Sequence, residues 1–194
     1  MGSAWEALYT EAHSDVKTRL LEGNKFFRNS PDLAVMKRLA KKQEPFVAIL
    51  ACADSRVNPE KVFGLSLGDA FVVRVGGNTR TDPTVFESLE YAVEHLNVRA
   101  VVVFGHTDCG VAKAVVDDGA CDELGSLYND MCMAKGKLPS DKARDPDAIS
   151  ESNVRLQVRK LLDQSCVIRE AVDSGKLSII AAMLELSTGM VKFL

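Results

Sequence analysis

The sequence predicts an α/β fold, a single domain over residues 1–194 with a mostly parallel central sheet flanked by helices. Three observations carry that expectation. Four short runs are apolar on both faces, Phe46–Ala51, Ala70–Val75, Ala100–Gly105 and Leu177–Ala182, as strands buried on both sides require. Helical periodicities separate these runs, which suits crossovers between parallel strands. At 194 residues the chain fits one domain and buries a core without staples.

The elements follow in order. Residues 1–12 are expected to be a loosely ordered segment. Residues 13–43 read as helical: Ser14 caps a stretch with Val16, Leu20 and Leu21, and Gly23-Asn24 supplies a stop. Asp32 begins a second stretch with Leu33, Met36, Leu39 and Ala40 at helical spacing. The first apolar run then ends at Cys52, and the second at Gly76-Gly77. Asp82-Pro83 pairs a cap with proline at the first helical position, followed by the stripe Val85, Phe86, Leu89, Val93 and Leu96. The third run ends at His106. A helical piece with Leu124, Leu127, Tyr128 and Met131 leads into a polar loop around Pro139 and Pro146. Ser150 opens a long helix through Val154, Val158, Leu161, Leu162, Ile168 and Val172, which Gly175 ends.

Composition narrows the function classes. The chain is 46% hydrophobic and 26% charged with a formal net charge of −3, and its basic residues are interspersed with acids. That leaves no footprint for nucleic acid. No apolar run approaches the ~20 residues that span a bilayer, so no membrane partner is expected. Five cysteines are an odd count that suits a reducing compartment better than a disulfide framework. With no basic-then-apolar pattern at the N-terminus, a cytoplasmic location is expected.

The chemistry concentrates in two motifs, Cys52-Ala53-Asp54-Ser55-Arg56 and His106-Thr107-Asp108-Cys109-Gly110, each closing an apolar run. In open α/β sheets ligands bind beyond the carboxyl ends of the strands. Two thiolates and an imidazole there suit one zinc ion per chain, with Cys52, His106 and Cys109 as ligands and one position left for a water. A structural zinc would need a fourth ligand, for which only Asp54 and Asp108 are near. Arg56 can hold Asp54 through two charge-assisted hydrogen bonds and keep it ionised, so that Asp54 can only accept a hydrogen bond. Cys121, Cys132 and Cys166 read as core, and His13 and His95 need no functional account.

Cys-x-Asp-x-Arg followed by His-x-x-Cys resembles the zinc-site signature of β-class carbonic anhydrases, and the likeness runs from Gly23-Asn24 to Ser187-Thr188-Gly189. The resemblance implies a β-carbonic-anhydrase-like fold whose N-terminal helices pack on a dimer partner, as a homodimer or dimer of dimers. It implies reversible hydration of CO2 to bicarbonate and a proton by zinc-bound hydroxide, with Asp54 and Arg56 as catalytic residues. Gln43, Phe71, Gly76 and Tyr91 would line the CO2 pocket, Gln43 and Tyr91 from opposite subunits. Ile49 stands where the regulated subgroup carries tryptophan, and Leu184-Glu185 where the family often has tyrosine-aspartate, which implies the unregulated form. Hydrolysis of carbonyl sulfide or carbon disulfide on the same scaffold is the alternative, and a non-enzymatic zinc-stabilised interaction domain ranks last.

Overall fold

The computed structural model describes residues 16–80, 82–116 and 125–194. The segment 1–12, His13, the cap at Ser14, Cys121 and Leu124 lie outside the described residues. The chain divides into two compact units, 1–43 and 44–194.

Within the first unit, α1 spans Val16–Arg28 and α2 spans Asp32–Leu39. Gly23-Asn24 does not stop α1. A glycine costs a helix interior about 1 kcal/mol, which one position cannot turn into a terminus. The chain turns instead after Arg28, where Asn29 Nδ2 and Ser30 Oγ donate to the carbonyls of Lys25 and Phe27 at 2.9 and 2.8 Å. Neither helix buries a residue, and Val16, Leu20, Leu21 and Met36 are exposed.

The second unit is built on a five-stranded sheet in the order β2-β1-β3-β4-β5. The strands are β1 (Val47–Cys52), β2 (Ala70–Val75), β3 (Ala100–His106), β4 (Ser178–Leu184) and β5 (Val191–Phe193). The first four are parallel, and β5 returns antiparallel to β4. The four predicted runs are therefore strands, each within two residues of its expected bounds. The three residues of β5, two of them exposed, carry too little apolar pattern to be read from sequence.

Helices α3 (Pro59–Val62), α4 (Pro83–Leu96), α5 (Gly110–Ala114), α6 (Gly125–Lys135), α7 (Pro146–Gln164) and α8 (Cys166–Asp173) connect the strands. Asp82 caps α4 as expected, accepting from the Thr84 N–H at 2.8 Å. The long helix expected from Ser150 to Gly175 is two helices and starts earlier. Asp145-Pro146 repeats the Asp82-Pro83 signal, with Asp145 accepting from Asp147 N–H at 2.9 Å. Ser165 breaks the run in extended geometry: its hydroxyl accepts from Ile168 N–H at 3.1 Å and donates to Glu90 Oε1 at 2.5 Å. No helix among the described residues is long and apolar enough to cross a membrane.

The two faces of the sheet are covered differently. Ala48, Leu50, Val101 and Val103 pack under Phe86 and Leu89 of α4, Val154 and Leu161 of α7, and Ile168 of α8. On the other face Ile49, Val102 and Phe104 meet Val57, α3 and the following Phe63 and Leu65. An apolar cavity of about 450 Å³ remains there, lined by Phe46, Ile49, Phe63, Val102, Ile180 and Phe193. Helix α7 crosses β3 at Gly105, where a Cβ would stand 2.5 Å from Val154 and 2.7 Å from Met183 Sδ.

One cysteine departs from the core reading. Cys166 opens α8 at the surface beside Arg169, whose Nη2 is 3.3 Å from the sulfur. Cys132 packs against the core around Met131 and Ile149 as expected but is disulfide-bonded.

Candidate metal centre

Parallel register brings the chemistry together. Cys52 pairs with Val75 at the ends of β1 and β2, and Ala51 pairs with Phe104, so Cys52 and His106 emerge from neighbouring strands at nearly one level. Cys109 follows through a turn in which Asp108 takes a left-handed conformation (φ 58°). The side-chain ligand atoms of Cys52, His106 and Cys109, all buried, lie within 4.8 Å of one another. Ions bound at about 2.0–2.3 Å have ligand atoms spaced under about 4 Å, inside that bound.

The histidine is prepared for a metal. Its Nδ1 lies 2.8 Å from the Thr107 carbonyl and donates to it, which leaves a lone pair on Nε2. Nε2 is buried without a partner. Among the described residues the other buried side-chain atoms so stranded are the two amide atoms of Asn78, for which the fold offers no account. An unpaired imidazole nitrogen facing two sulfurs is the donor set of a zinc site.

The sulfurs are electrostatically unequal. Cys52 Sγ accepts N–H bonds from Gly77 at 3.2 Å and Asp54 at 3.4 Å. Its thiol is pulled down to about 4, first by a hydrogen bond from Cys109, then against burial by His106 and these two amides. Cys109 is pushed up, first by that same bond and then by burial. Burial would lower His106, but the neighbouring Cys52 sulfur and its charge outweigh it and raise it. Without a cation the shared proton thus favours the thiolate at one of the two sulfurs only. A divalent ion removes the conflict and ionises both thiols.

Asp54 stands beside this group with its carboxylate held by Arg56. Arg56 grips both carboxylate oxygens, Nε to Oδ1 at 3.0 Å and Nη2 to Oδ2 at 2.8 Å, while its backbone N–H reaches Oδ1 at 2.9 Å. The guanidinium holds the Asp54 carboxyl well below the usual carboxylate range against a smaller effect of burial. Arg56 also donates to Asp108, to Oδ2 at 2.8 Å and to the carbonyl at 3.1 Å. Lys113 pairs with the other Asp108 oxygen. Both carboxylates considered for a fourth ligand are therefore engaged elsewhere, and the metal-binding cluster found among the described residues has three members.

Other expected residues divide. Gly76 lies at the site end of β2, where a Cβ would stand 3.0 Å from Leu127 Cδ1. Phe71 and Tyr91 come together, ring centroids 6.2 Å apart, with His95 stacked on Tyr91 at 5.0 Å. They are not brought to this chain's own ligands, because Phe71 pairs with Ala48, four residues and roughly 13 Å of strand before Cys52. Gln43 closes the first unit and is exposed.

Residues unmarked in the sequence brace the site. Arg74 on β2 donates to the carbonyls of Cys52 at 3.1 Å and Asp54 at 2.7 Å, pinning the loop that carries both. Ser150 donates to the His106 carbonyl at 2.9 Å, and Asp147 accepts from Asp108 N–H at 2.7 Å. In the sequence Arg74 is one residue of an apolar strand run, and Ser150 reads as the start of a helix, so neither is marked as a brace. The helical spacing of Asp147 and Ser150 was the available signal.

Comparison with known proteins places this arrangement. The family model described as carbonic anhydrase matches residues 47–191. "Carbonic anhydrase 2" of Mycobacterium tuberculosis is 36% identical over 185 residues, covering 88% of this chain and 87% of that protein. The β-carbonic anhydrase of Coccomyxa, solved with acetazolamide, superimposes with a TM-score of 0.81 at 30% identity, covering 94% of this chain and 87% of that one. A tetrameric β-carbonic anhydrase of Sordaria macrospora gives a TM-score of 0.69 at 27% identity, covering 92% and 93%.

Proposed function

The chain belongs to the β-carbonic anhydrase family, and on that premise we propose how its residues carry the reversible hydration of carbon dioxide to bicarbonate. It is a carbonic anhydrase with zinc as cofactor, and Cys52, His106 and Cys109 are the residues that would hold the ion. When bound, zinc supplies the Lewis acidity that brings the pKa of a coordinated water from ~15.7 toward neutrality.

The protein's task is to steer. Asp54, kept ionised by Arg56, has no proton to give and accepts a hydrogen bond from the nucleophile, which aims a lone pair at the carbon of CO2. Two thiolates offset the charge of a divalent cation, and a free carboxylate beside it would oppose ionisation further. Arg56 neutralises that carboxylate while leaving its outer lone pairs available. The observation that carries this reading is the side-on Arg56–Asp54 pair next to a three-member ligand set.

Gln43, Phe71 and Tyr91 are proposed to line the substrate pocket together with Gly76. Because Phe71 and Tyr91 sit roughly 13 Å of strand from this chain's ligands, they serve the centre of a second copy. The exposed apolar residues of α1 and α2 support packing on that copy, as a homodimer or a dimer of such dimers. The two units, 1–43 and 44–194, then act as one functional domain. A cytoplasmic location is supported by the unpaired thiols of Cys52, Cys109 and Cys166 and opposed by the disulfide at Cys132. Thiol labelling of the protein in cells would decide it.

Stopped-flow CO2 hydration run beside a sulfide-release assay on carbonyl sulfide and carbon disulfide tests the substrate. Turnover confined to the sulfur compounds would overturn the proposal. Fast CO2 hydration that Asp54→Asn leaves untouched would overturn the role of the carboxylate.

A further inference from the structure

We propose that Asn153 is a positioning residue for the Cys52 sulfur, acting through the backbone of Gly77. The proposal rests on the reading of Cys52, His106 and Cys109 as zinc ligands and extends it to α7.

Helix α7 presents Asp147, Ser150, Asn153 and Gln157 at offsets of three, three and four, within about a third of its circumference. Each meets the backbone of a loop at the metal centre or in the segment following β2. Asp147 accepts from Asp108 N–H and Ser150 donates to the His106 carbonyl. Asn153 Nδ2 donates to the Gly77 carbonyl at 2.9 Å. Gln157 Oε1 accepts from Arg80 N–H at 3.2 Å. Ser150, Asn153 and Gln157 are fully buried, so this stripe does not face solvent.

The orientation of Asn153 is determined by its neighbours. Gln157 Nε2 donates to Asn153 Oδ1 at 2.9 Å and to Asp130 Oδ2 at 2.8 Å. Asp130, itself buried, is paired with Lys160. With Oδ1 engaged as an acceptor, the amide nitrogen of Asn153 is directed at Gly77.

Gly77 is held through its backbone alone. Its φ of 65° lies in the left-handed region, and a Cβ would stand 2.8 Å from Met131 Cε, so no side chain can anchor it. It is held at its carbonyl by Asn153 and donates its N–H to Cys52 Sγ at 3.2 Å. That N–H is one of two given to this sulfur among the described residues, the other being Asp54 N–H. Loss of the asparagine strands a buried carbonyl and releases the Gly77 backbone, loosening the residue whose N–H is aimed at the sulfur. Groups that hydrogen-bond a metal ligand directly typically control ~10–100-fold in affinity, and Asn153 acts on such a group, the Gly77 N–H.

Zinc affinity by chelator competition, and the thiolate-to-metal charge-transfer band of the cobalt(II)-substituted protein, test the proposal. Asn153→Ala is expected to weaken zinc roughly 10–100-fold and shift the cobalt band. Asn153→Asp keeps the shape and the bond from Gln157 but removes the donor, and should do the same if the alanine variant fails to fold. Lys160→Met breaks the far end of the network and is expected to lower the unfolding midpoint while leaving zinc affinity and the cobalt band at parental values. Parental zinc affinity and an unshifted band in both Asn153 variants would overturn the proposal. So would changes in metal binding that merely track lost stability in the Lys160 variant. Cys109→Ser retaining zinc would instead overturn the ligand assignment itself.

Discussion

The loop after β1 and the turns that face α7 are fixed by different physical means. Asp54 is held by guanidinium groups near the surface: Arg56 is half-exposed, and its partner Asp108 is also shared with Lys113. The His106 carbonyl and Gly77 are held by a hydroxyl and an amide in the interior. Exposed charges are screened by salt within about 8–10 Å, whereas neutral bonds in a low-dielectric interior are not. The Asp54–Arg56 pair is thus the adjustable part of the centre and the ligand cradle the stiff part.

The cradle breaks most completely at a ligand. Cys109→Ser is expected to leave the purified protein with substoichiometric zinc, measured by elemental analysis, and without CO2 hydration. Arg56→Ala separates the halves: zinc content stays at the parental level while kcat/KM falls by about 10²-fold, the scale set by losing an oriented charged donor. Parental speed in that variant would remove the guanidinium from the mechanism.

Acid sharpens the same contrast. Arg56 depresses the Asp54 carboxyl in the folded state. Its stabilisation is therefore complete above the unfolded value of ~3.9 and is lost as pH falls through the lower folded one. Denaturant curves of the parent and Arg56→Ala should stay a constant distance apart from neutral to mildly acid pH and converge only below the ordinary carboxylate range. Ser150→Ala, which strands the buried His106 carbonyl, should cost about 1–3 kcal/mol of unfolding free energy independent of salt. Asp108→Asn should have the smallest effect, a few-fold loss of rate at low ionic strength that disappears at high salt.

The supports of the stiff half are hard to read in the sequence, whereas its ligands and the adjustable half are easy. Buried parallel strands need apolar residues on both faces, so Phe46–Ala51 and Ala100–Gly105 announce themselves. Cys52, His106 and Cys109 stand out because each closes such a run or follows directly on one. Asp54 and Arg56 are legible because their chemistry is local, two residues apart. Ser150 reads as a helix start, and Asn153 and Gln157 carry no signal, since small polar residues at helical spacing look alike whether they face water or a loop. Ser165 was missed as a break because apolar residues resume in phase beyond it. Gly23 was over-read, because a glycine ends a helix only where the backbone turns left-handed. Phe71 and Tyr91 are singled out by the family likeness alone, since nothing in their local pattern separates them from ordinary core.

Gly105 has a consequence that reaches past its own strand. With hydrogen where other residues carry carbon, it lets α7 settle low enough for a hydroxyl and an amide to touch the chain beneath. An alanine there would act as a shim, lifting the helix by a fraction of an ångström along its whole inner edge. The coordinating trio would remain intact letter for letter, yet the protein would shed its ion, a failure that inspection of the ligand motifs would not reveal.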